Sequence, residues 1–240
     1  MKIALIGYGK MGKEIEKIAI SKGHEIIVRI DPLNGEDFNS PLFSLAEIAI
    51  EFTTPEVALN NYRECFKRNI PVVSGTTGWL NNKNEIEIKE WCESKGQTFF
   101  YASNFSIGVN LFFELNNYLA RLMNRFSEYE ISITETHHTQ KKDAPSGTAI
   151  TLAKEIIQNI ERKSDWELNR QSSNQSIGIL AFREGDTVGN HTVKYESLND
   201  EIEICHNAKS RRGFAQGAIL AAEFAVNHKG FLTMKELLGN

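Results

Sequence analysis

Three cysteines are few for 240 residues, and Cys65, Cys92 and Cys205 stand far apart with no CxxC pair. That spacing excludes a disulfide framework and a zinc cage, and a reducing, cytoplasmic setting fits best. An excess of positive charge is also lacking. The formal charge of -4 and a pI of about 5.9 argue against general binding to a phosphate backbone, so nucleic acid is not an expected partner. Long apolar runs are missing too: the opening stretch MKIALIGYGKMGKEI holds only a short one before glycine interrupts it. A run of that length makes neither a signal h-region nor a membrane span. What is present, 41% hydrophobic and 24% charged residues, is ordinary for a globular core, at a length that allows one large or two small domains.

The first hundred residues read as alternating strands and helices. The apolar run 3–6 suits a buried parallel strand, and GYGKMG follows it at once from Gly7 to Gly12. Ile15, Ile18 and Ala19 then recur at helical spacing, Gly23 ends the segment, and 25–30 reads as a second buried strand closing on Asp31. A glycine-rich turn between strand and helix, with an acid some twenty residues on, is the pattern of a dinucleotide site. Gly7 makes the tight turn, Gly9 lets the backbone approach a pyrophosphate, and Gly12 lets helix and strand pack closely. Asp31 would accept from the adenosine ribose hydroxyls and repel a 2′-phosphate, whereas Arg29 or Lys10 could swing toward one, so NADH and NADPH both stay open. The rhythm continues with a strand at 48–52, a helix opened by Thr54 and Pro55, and IPVVSGTTGW ending in the turn Gly75, Thr76, Thr77. A charged helix at 82–94 and a strand at 98–101 follow, the strand ending in a second small polar turn. Such turns at the carboxyl ends of parallel strands suit cofactor contact and equally suit plain loop chemistry.

The second half changes character. A helix over 107–125 leads to an alternating strand at 130–136, in which Ile131 and Ile133 point one way and Ser132 and Thr134 the other. Strands at 177–183, 192–197 and 201–206 predict an open mixed or antiparallel sheet. The polar stretch 162–176 reads as a mobile surface loop, with Trp166 as its anchor. Helical spacing returns after residue 212, in two amphipathic pieces expected to complete the first domain. The expected architecture is α/β: a Rossmann-like parallel-sheet cofactor domain over 1–105, completed by C-terminal helices at 213–240, plus an α+β domain over 106–212 with an open mixed sheet.

Between strand and helix lies ETHHTQKKDAPSGTA. His137 and His138 are adjacent at a strand end, so their rings should project to opposite sides and not share a metal; no metal site is expected. Ser146 is a natural N-cap for a helix beginning near Gly147. The free N–H groups of Gly147 and Thr148, with the Thr148 hydroxyl, then form a pocket suited to a carboxylate, and Lys141 adds a movable cation. That set suits a small acidic substrate that must be anchored and protonated, with a histidine titrating near neutrality or a lysine as donor.

The segment HHTQKKDAPSGTA resembles the signature of the 4-hydroxy-tetrahydrodipicolinate (dihydrodipicolinate) reductase family, and the likeness extends in order through GYGKMG, SGTTGW, ASNFSIGVN, FREGDTVGNHTV and SRRGFAQGA. The resemblance implies a Rossmann-like cofactor domain and a second domain that binds substrate and builds a homotetramer. It implies His137 as proton donor and Lys141 as second catalytic donor, with His138, Gly147 and Thr148 binding the small dicarboxylate substrate. The cofactor positions it implies are Gly7, Tyr8, Gly9, Lys10, Met11, Gly12, Asp31, Gly75, Thr76, Thr77, Ala102, Ser103, Asn104 and Phe105. The implied reaction reduces a cyclic imine to tetrahydrodipicolinate with NADH or NADPH and releases water. The phosphate turn is one residue shorter than G-x-x-G-[RK]-M-G, and no arginine directly follows Asp31. The roles of Arg183, His191 and Arg211 stay open.

Three rivals are weighed against this. A semialdehyde dehydrogenase would need a cysteine nucleophile in a strand-to-helix turn, and a zinc hydrolase an H-E-x-x-H or comparable ligand set; neither is found. A non-catalytic dinucleotide-sensing module would bind cofactor without turnover.

Overall fold

A computed structural model describes residues 1–33 and 36–239. Its contacts divide the chain into two units, residues 1–106 with 212–240, and residues 107–211. Among the described residues no helix is long and apolar enough to cross a membrane.

The first unit follows from short, fully apolar strands separated by amphipathic helices. Strands β1 (Lys2–Ile6), β2 (Glu25–Ile30), β3 (Ile48–Glu51), β4 (Val72–Ser74) and β5 (Thr98–Tyr101) pair in parallel in the order β5-β4-β3-β1-β2. Helices α1 (Lys10–Ser21), α2 (Pro55–Phe66) and α3 (Asn82–Lys95) form the crossovers. Buried on both faces, the strands have no polar side to alternate with, which is why 3–6 and 48–50 read as unbroken apolar runs. Pro55 opens α2 as its fixed φ allows; Thr54 holds the N-cap position, but its hydroxyl makes no cap bond.

The tail completes this sheet, with one departure from the expected pair of helices. After α6 (Arg212–Ala225), Gly230–Leu232 forms a strand, β11, parallel to β5 at the sheet edge, and only then does α7 (Met234–Leu238) begin. Three residues are too few to show a period, so the strand was invisible as a pattern.

In the second unit α4 (Ile107–Met123) and α5 (Gly147–Asn159) pack on one face of a mixed sheet ordered β10-β9-β6-β8-β7. Its strands are β6 (Glu130–His137), β7 (Asp165–Leu168), β8 (Ser176–Arg183), β9 (Gly189–Glu196) and β10 (Glu201–Ala208). Strand β6 is parallel to β8 and antiparallel to β9. Here too one expectation is corrected. The stretch read as a mobile loop contains β7, paired in parallel with β8, and it buries Lys163, whose ammonium donates to Glu130 Oε2 at 2.9 Å and to the carbonyls of Ser173 and Ser176. Trp166 packs partly buried against the apolar core of the unit. A polar edge strand shows no apolar alternation, because its burial comes from one aromatic and one paired lysine.

Candidate functional site

The phosphate turn sits at the carboxyl end of β1, where adding a methyl group to each glycine separates three tasks. Gly7 has φ +89°, and a Cβ there would lie 2.1 Å from the Phe52 carbonyl oxygen; at Gly12 it would lie 2.4 Å from the Gly7 oxygen. Both are glycine because the protein's own backbone fills the space. Gly9 differs: among the described residues nothing lies within 4 Å of its Cβ position. A site left open at the head of α1 is what a pyrophosphate approaching the backbone requires.

Asp31, directly after β2, caps this turn. Its Oδ2 accepts from Tyr8 N at 2.8 Å and its Oδ1 from Leu33 N at 2.9 Å. Beside it opens a cavity of about 580 Å³ lined by Gly7, Gly9, Asp31, Pro32, Phe38 and Thr53 among others, with Glu36 and Asp37 adding acidic edges. A glycine turn, an acid and an apolar wall around one cavity fit an adenine dinucleotide. Arg29, able by sequence to reach a phosphate, is committed elsewhere: Glu16 accepts from its Nε at 2.9 Å and from its Nη2, and from the Tyr8 hydroxyl. Lys10 and Met11 open α1.

The first of the two later turns is braced by a carboxylate the sequence did not single out. Glu51, fully buried at the end of β3, accepts from Thr76 Oγ1 at 2.9 Å, from Ser74 Oγ at 2.7 Å and from the Thr53 hydroxyl. Thr76 Oγ1 in turn accepts from Thr53 N at 2.8 Å. Gly75 lies against the Phe52 ring, where a Cβ would come within 2.1 Å, and Thr77 is exposed. Ala102 N donates to Ser74 O at 3.3 Å, Ser103 is exposed, Asn104 Oδ1 accepts from Ser106 N at 2.9 Å, and Phe105 is buried against Phe52 and Phe100. These two turns stand outside the lining of the cavity.

In the second unit β6 alternates strictly, burying Ile131, Ile133, Glu135 and His137 on one face. His137 Nδ1 and His191 Nε2 lie 3.8 and 3.7 Å from Glu135 Oε2, and the two rings meet edge to face at 5.0 Å. His138, on the other parity, is half-buried with its Nε2 3.4 Å from Arg211. The two adjacent histidines therefore do not share a ligand, but the structure supplies a grouping not expected: Glu135, His137 and His191 offer ligand atoms all within 4.8 Å of one another. Protein donors already engage this set. Both Glu135 oxygens accept from Ser146 N at 3.1 and 3.0 Å, Arg183 Nη1 stands 3.5 Å from Oε1, and His191 Nε2 is bonded to Ser146 Oγ at 3.0 Å. A guanidinium beside the carboxylate opposes a second cation, and the arrangement suits proton handling better than metal binding.

Charge states follow from burial. Desolvation is the largest influence on His137 and takes it down to about 4; Glu135 pulls it upward, while His191, Lys141 and Arg183 push it further down. The expected donor titrating near neutrality is thus corrected: in the free protein this imidazole is neutral at pH 7, because a cation at that depth loses its hydration. For Glu135 burial pushes upward, but bonds from His191 and Ser146 and the charge of His137 outweigh it and hold the carboxyl at about 2.

Ser146 caps α5, its Oγ accepting from Ala149 N at 3.2 Å. The N–H groups of Gly147 and Thr148, in the first helical turn, have no acceptor within the helix, and the Cβ position of Gly147 faces open space. Lys141 Nζ is paired with Asp143 at 2.7 Å. Arg183 pins that segment, donating from Nε to Lys141 O at 3.2 Å and from Nη2 to Asp143 O at 2.6 Å. Glu135, His191 and Arg183 were missed as a cluster. The parity of β6 carried a signal, because an acid two residues before His137 falls on the same face as Ile131 and Ile133. Thiol chemistry finds no support: burial raises Cys65 well above the usual thiol range and Cys92 to about 11, and Cys205 lies exposed on β10.

Comparison with known proteins covers the whole chain. Residues 1–105 match the family model described as dihydrodipicolinate reductase, N-terminus, and residues 108–238 its C-terminus counterpart. A 4-hydroxy-tetrahydrodipicolinate reductase of Christiangramia forsetii is 46% identical over 100% of this chain and 98% of that protein. One from Staphylococcus haemolyticus is 36% identical over 99% and 100%. Among solved structures, a dipicolinate-bound dihydrodipicolinate reductase from Paenisporosarcina sp. TG-14 superposes with a TM-score of 0.75 at 21% identity, covering 97% of each chain. An aspartate semialdehyde dehydrogenase of Vibrio cholerae, at TM-score 0.52 and 10% identity over 94% of this chain and 98% of that one, shares the fold alone.

Proposed function

Because this chain belongs to the dihydrodipicolinate reductase family, and so is an oxidoreductase that reduces 4-hydroxy-tetrahydrodipicolinate with NADH or NADPH in diaminopimelate and lysine biosynthesis, we propose how its own residues divide that work. The nicotinamide cofactor supplies the hydride when bound. Gly7 to Gly12 and Asp31 hold its pyrophosphate and ribose, with Gly75–Thr77 and Ala102–Phe105 as further contact positions. The openness at Gly9 supports this assignment.

In the second unit the first turn of α5 and the Thr148 hydroxyl anchor one carboxylate of the substrate, and His138 assists. Lys141, released from Asp143, offsets negative charge and serves as second donor. His137 supplies the proton. Hydride and proton together reduce the acceptor while its 4-hydroxyl leaves as water, so product, oxidised cofactor and water balance substrate, reduced cofactor and one proton. An arriving dicarboxylate also resolves the low basicity of free His137: negative charge beside a neutral imidazole raises its pKa toward the working pH. The observation that carries the reading is the Ser146-capped helix start, with unpaired N–H groups, bound through Ser146 and Glu135 to the strand bearing His137.

A homotetramer and a cytoplasmic setting belong to the same proposal. The face of the second sheet turned away from α4 and α5 leaves Leu180 and Phe182 of β8 exposed, which suits burial between copies. Three free thiols and a reduced nicotinamide suit a reducing compartment. The test of function is oxidation of NADH and NADPH, followed at the nicotinamide absorbance, with substrate made in situ from pyruvate and aspartate semialdehyde. Oxidation that requires the condensation is expected; cofactor binding without oxidation would overturn the reading.

A further inference from the structure

Glu135 contacts three parts of the site and has no part in the chemistry just described. It occupies a β6 position between Ala181 of β8 and His191 of β9, on the face where Ile131 and Ile133 are core residues. An apolar side chain would continue that core, whereas a buried carboxylate is costly unless its neighbours need it. The neighbours are informative. Ser146, whose N–H it accepts, starts the helix proposed to hold substrate; Arg183, 3.5 Å away, carries the backbone of Lys141 and Asp143. The third is His137, whose Nδ1 is buried and has no hydrogen-bond partner, with Glu135 Oε2 at 3.8 Å.

The far side of that ring adds an independent observation. A Cβ on Gly189 would come to 3.1 Å of His137 Nε2, so glycine keeps that nitrogen uncovered. The ring thus has one nitrogen turned to a buried anion and the other spared a side-chain contact at Gly189.

We propose that Glu135 is the positioning residue of the proton-transfer site: its carboxylate fixes the His137 tautomer with hydrogen on Nδ1, so that Nε2, cleared by Gly189, exchanges the proton with substrate. At 3.8 Å the pair is an electrostatic contact, and a slight rotation on substrate binding makes it a hydrogen bond. Through Ser146 the same carboxylate sets the start of α5 against the ring. In the step itself the Nε2–H bond breaks and its proton passes to the substrate. The Nδ1–H stays, and Nε2 regains a proton from solvent. Facing the ring from neighbouring segments are His191 on β9, Arg183 on β8 and Lys141 after β6, all of which disfavour its cation; among the described residues Glu135 is the neighbour that favours it.

This inference rests on His137 being the proton donor, and the test separates the two. Kinetics of Glu135→Gln, His137→Ala and the double variant are read with NADH affinity by fluorescence and with histidine ¹⁵N NMR of the wild-type protein. Expected are a kcat at least about tenfold lower for Glu135→Gln, its pH limb moved to lower pH, NADH affinity within about twofold, and no further loss when the change is added to His137→Ala. The wild-type spectrum should show His137 protonated on Nδ1. Full turnover in His137→Ala overturns the donor assignment and the role of Glu135 with it. An impaired His137→Ala beside an unaltered Glu135→Gln overturns the Glu135 inference alone. If Glu135→Gln does not fold, the wild-type tautomer decides: hydrogen on Nε2 overturns the proposal.

Discussion

The roles proposed for single side chains in the second unit divide into meeting substrate and setting conditions for that contact, and kinetics can tell them apart. His137→Ala and Lys141→Ala should each lower kcat by about 10²-fold with NADH binding kept, the range for a lost acid or base; unchanged turnover in both would contradict the assignment. Thr148→Val should mainly raise KM for the dicarboxylate, since it removes the hydroxyl proposed to anchor substrate at the helix start; an unchanged KM would count against the pocket. Acid stability is a second residue-scale test. The folded His137 accepts a proton only near 4, against an ordinary value of about 6.5, so between those values the unfolded chain binds a proton that the folded chain refuses. Stability should therefore fall as pH drops from about 6.5 to about 4. His206, lowered by burial and by His191, adds to the same slope, and Glu135, held at about 2, loses its contribution from the lower end of that window, about 4.3, downward. The melting temperature against pH checks this: His137→Gln should flatten the upper part of the slope, and a flat wild-type profile between 6.5 and 4 would contradict it.

Elements were legible where a period had room to repeat. The β1 turn and α1, the buried strands of the first sheet and the Ser146 cap all follow from local chemistry, because a tight turn, a missing donor or an orphan N–H restricts which residue can stand there. Strands β7 and β11 were not legible, since a polar edge and a three-residue pairing depend on partners distant in sequence. Glu135 with His191 and Arg183, and Glu51 beneath Thr76, are likewise tertiary meetings, and only strand parity hinted at the first. Glycines offer a contrast to measure at this scale. Gly217 of α6 packs so closely on the Phe105 carbonyl that a Cβ would fall 1.7 Å from its oxygen, and Gly217→Ala should destabilise the fold by about 3 kcal/mol or more in urea titration. Gly9→Ala meets no atom of the described residues within 4 Å, so it should leave stability near wild type and weaken NADH binding by about tenfold, ~1.4 kcal/mol. Equal losses of stability in both variants would mean that Gly9 is structural.

At the scale of the molecule the question is what covers the open face of the second sheet. One side of β6, β8 and β9 packs on α4 and α5 through Ile131, Ile133, Ile177, Ile179 and Val193, and by parity the other side presents Thr134, Leu180, Phe182 and Thr192. Phe182, 52% exposed, immediately precedes Arg183, the residue that pins the Lys141 segment. Burying Phe182 between copies would therefore steady the strand end from which the Lys141 segment is held, so assembly and activity should weaken together. Sedimentation of the wild type should give four times the 27.1 kDa chain mass, and Phe182→Glu should shift it to smaller species, because an unpaired carboxylate in an apolar interface costs several kcal/mol. The variant should keep its NADH affinity, since the positions proposed to hold the dinucleotide all lie in the first unit and Phe182 in the second, while kcat falls. A wild type that sediments at the mass of one chain with full turnover would break the link between assembly and the Lys141 segment.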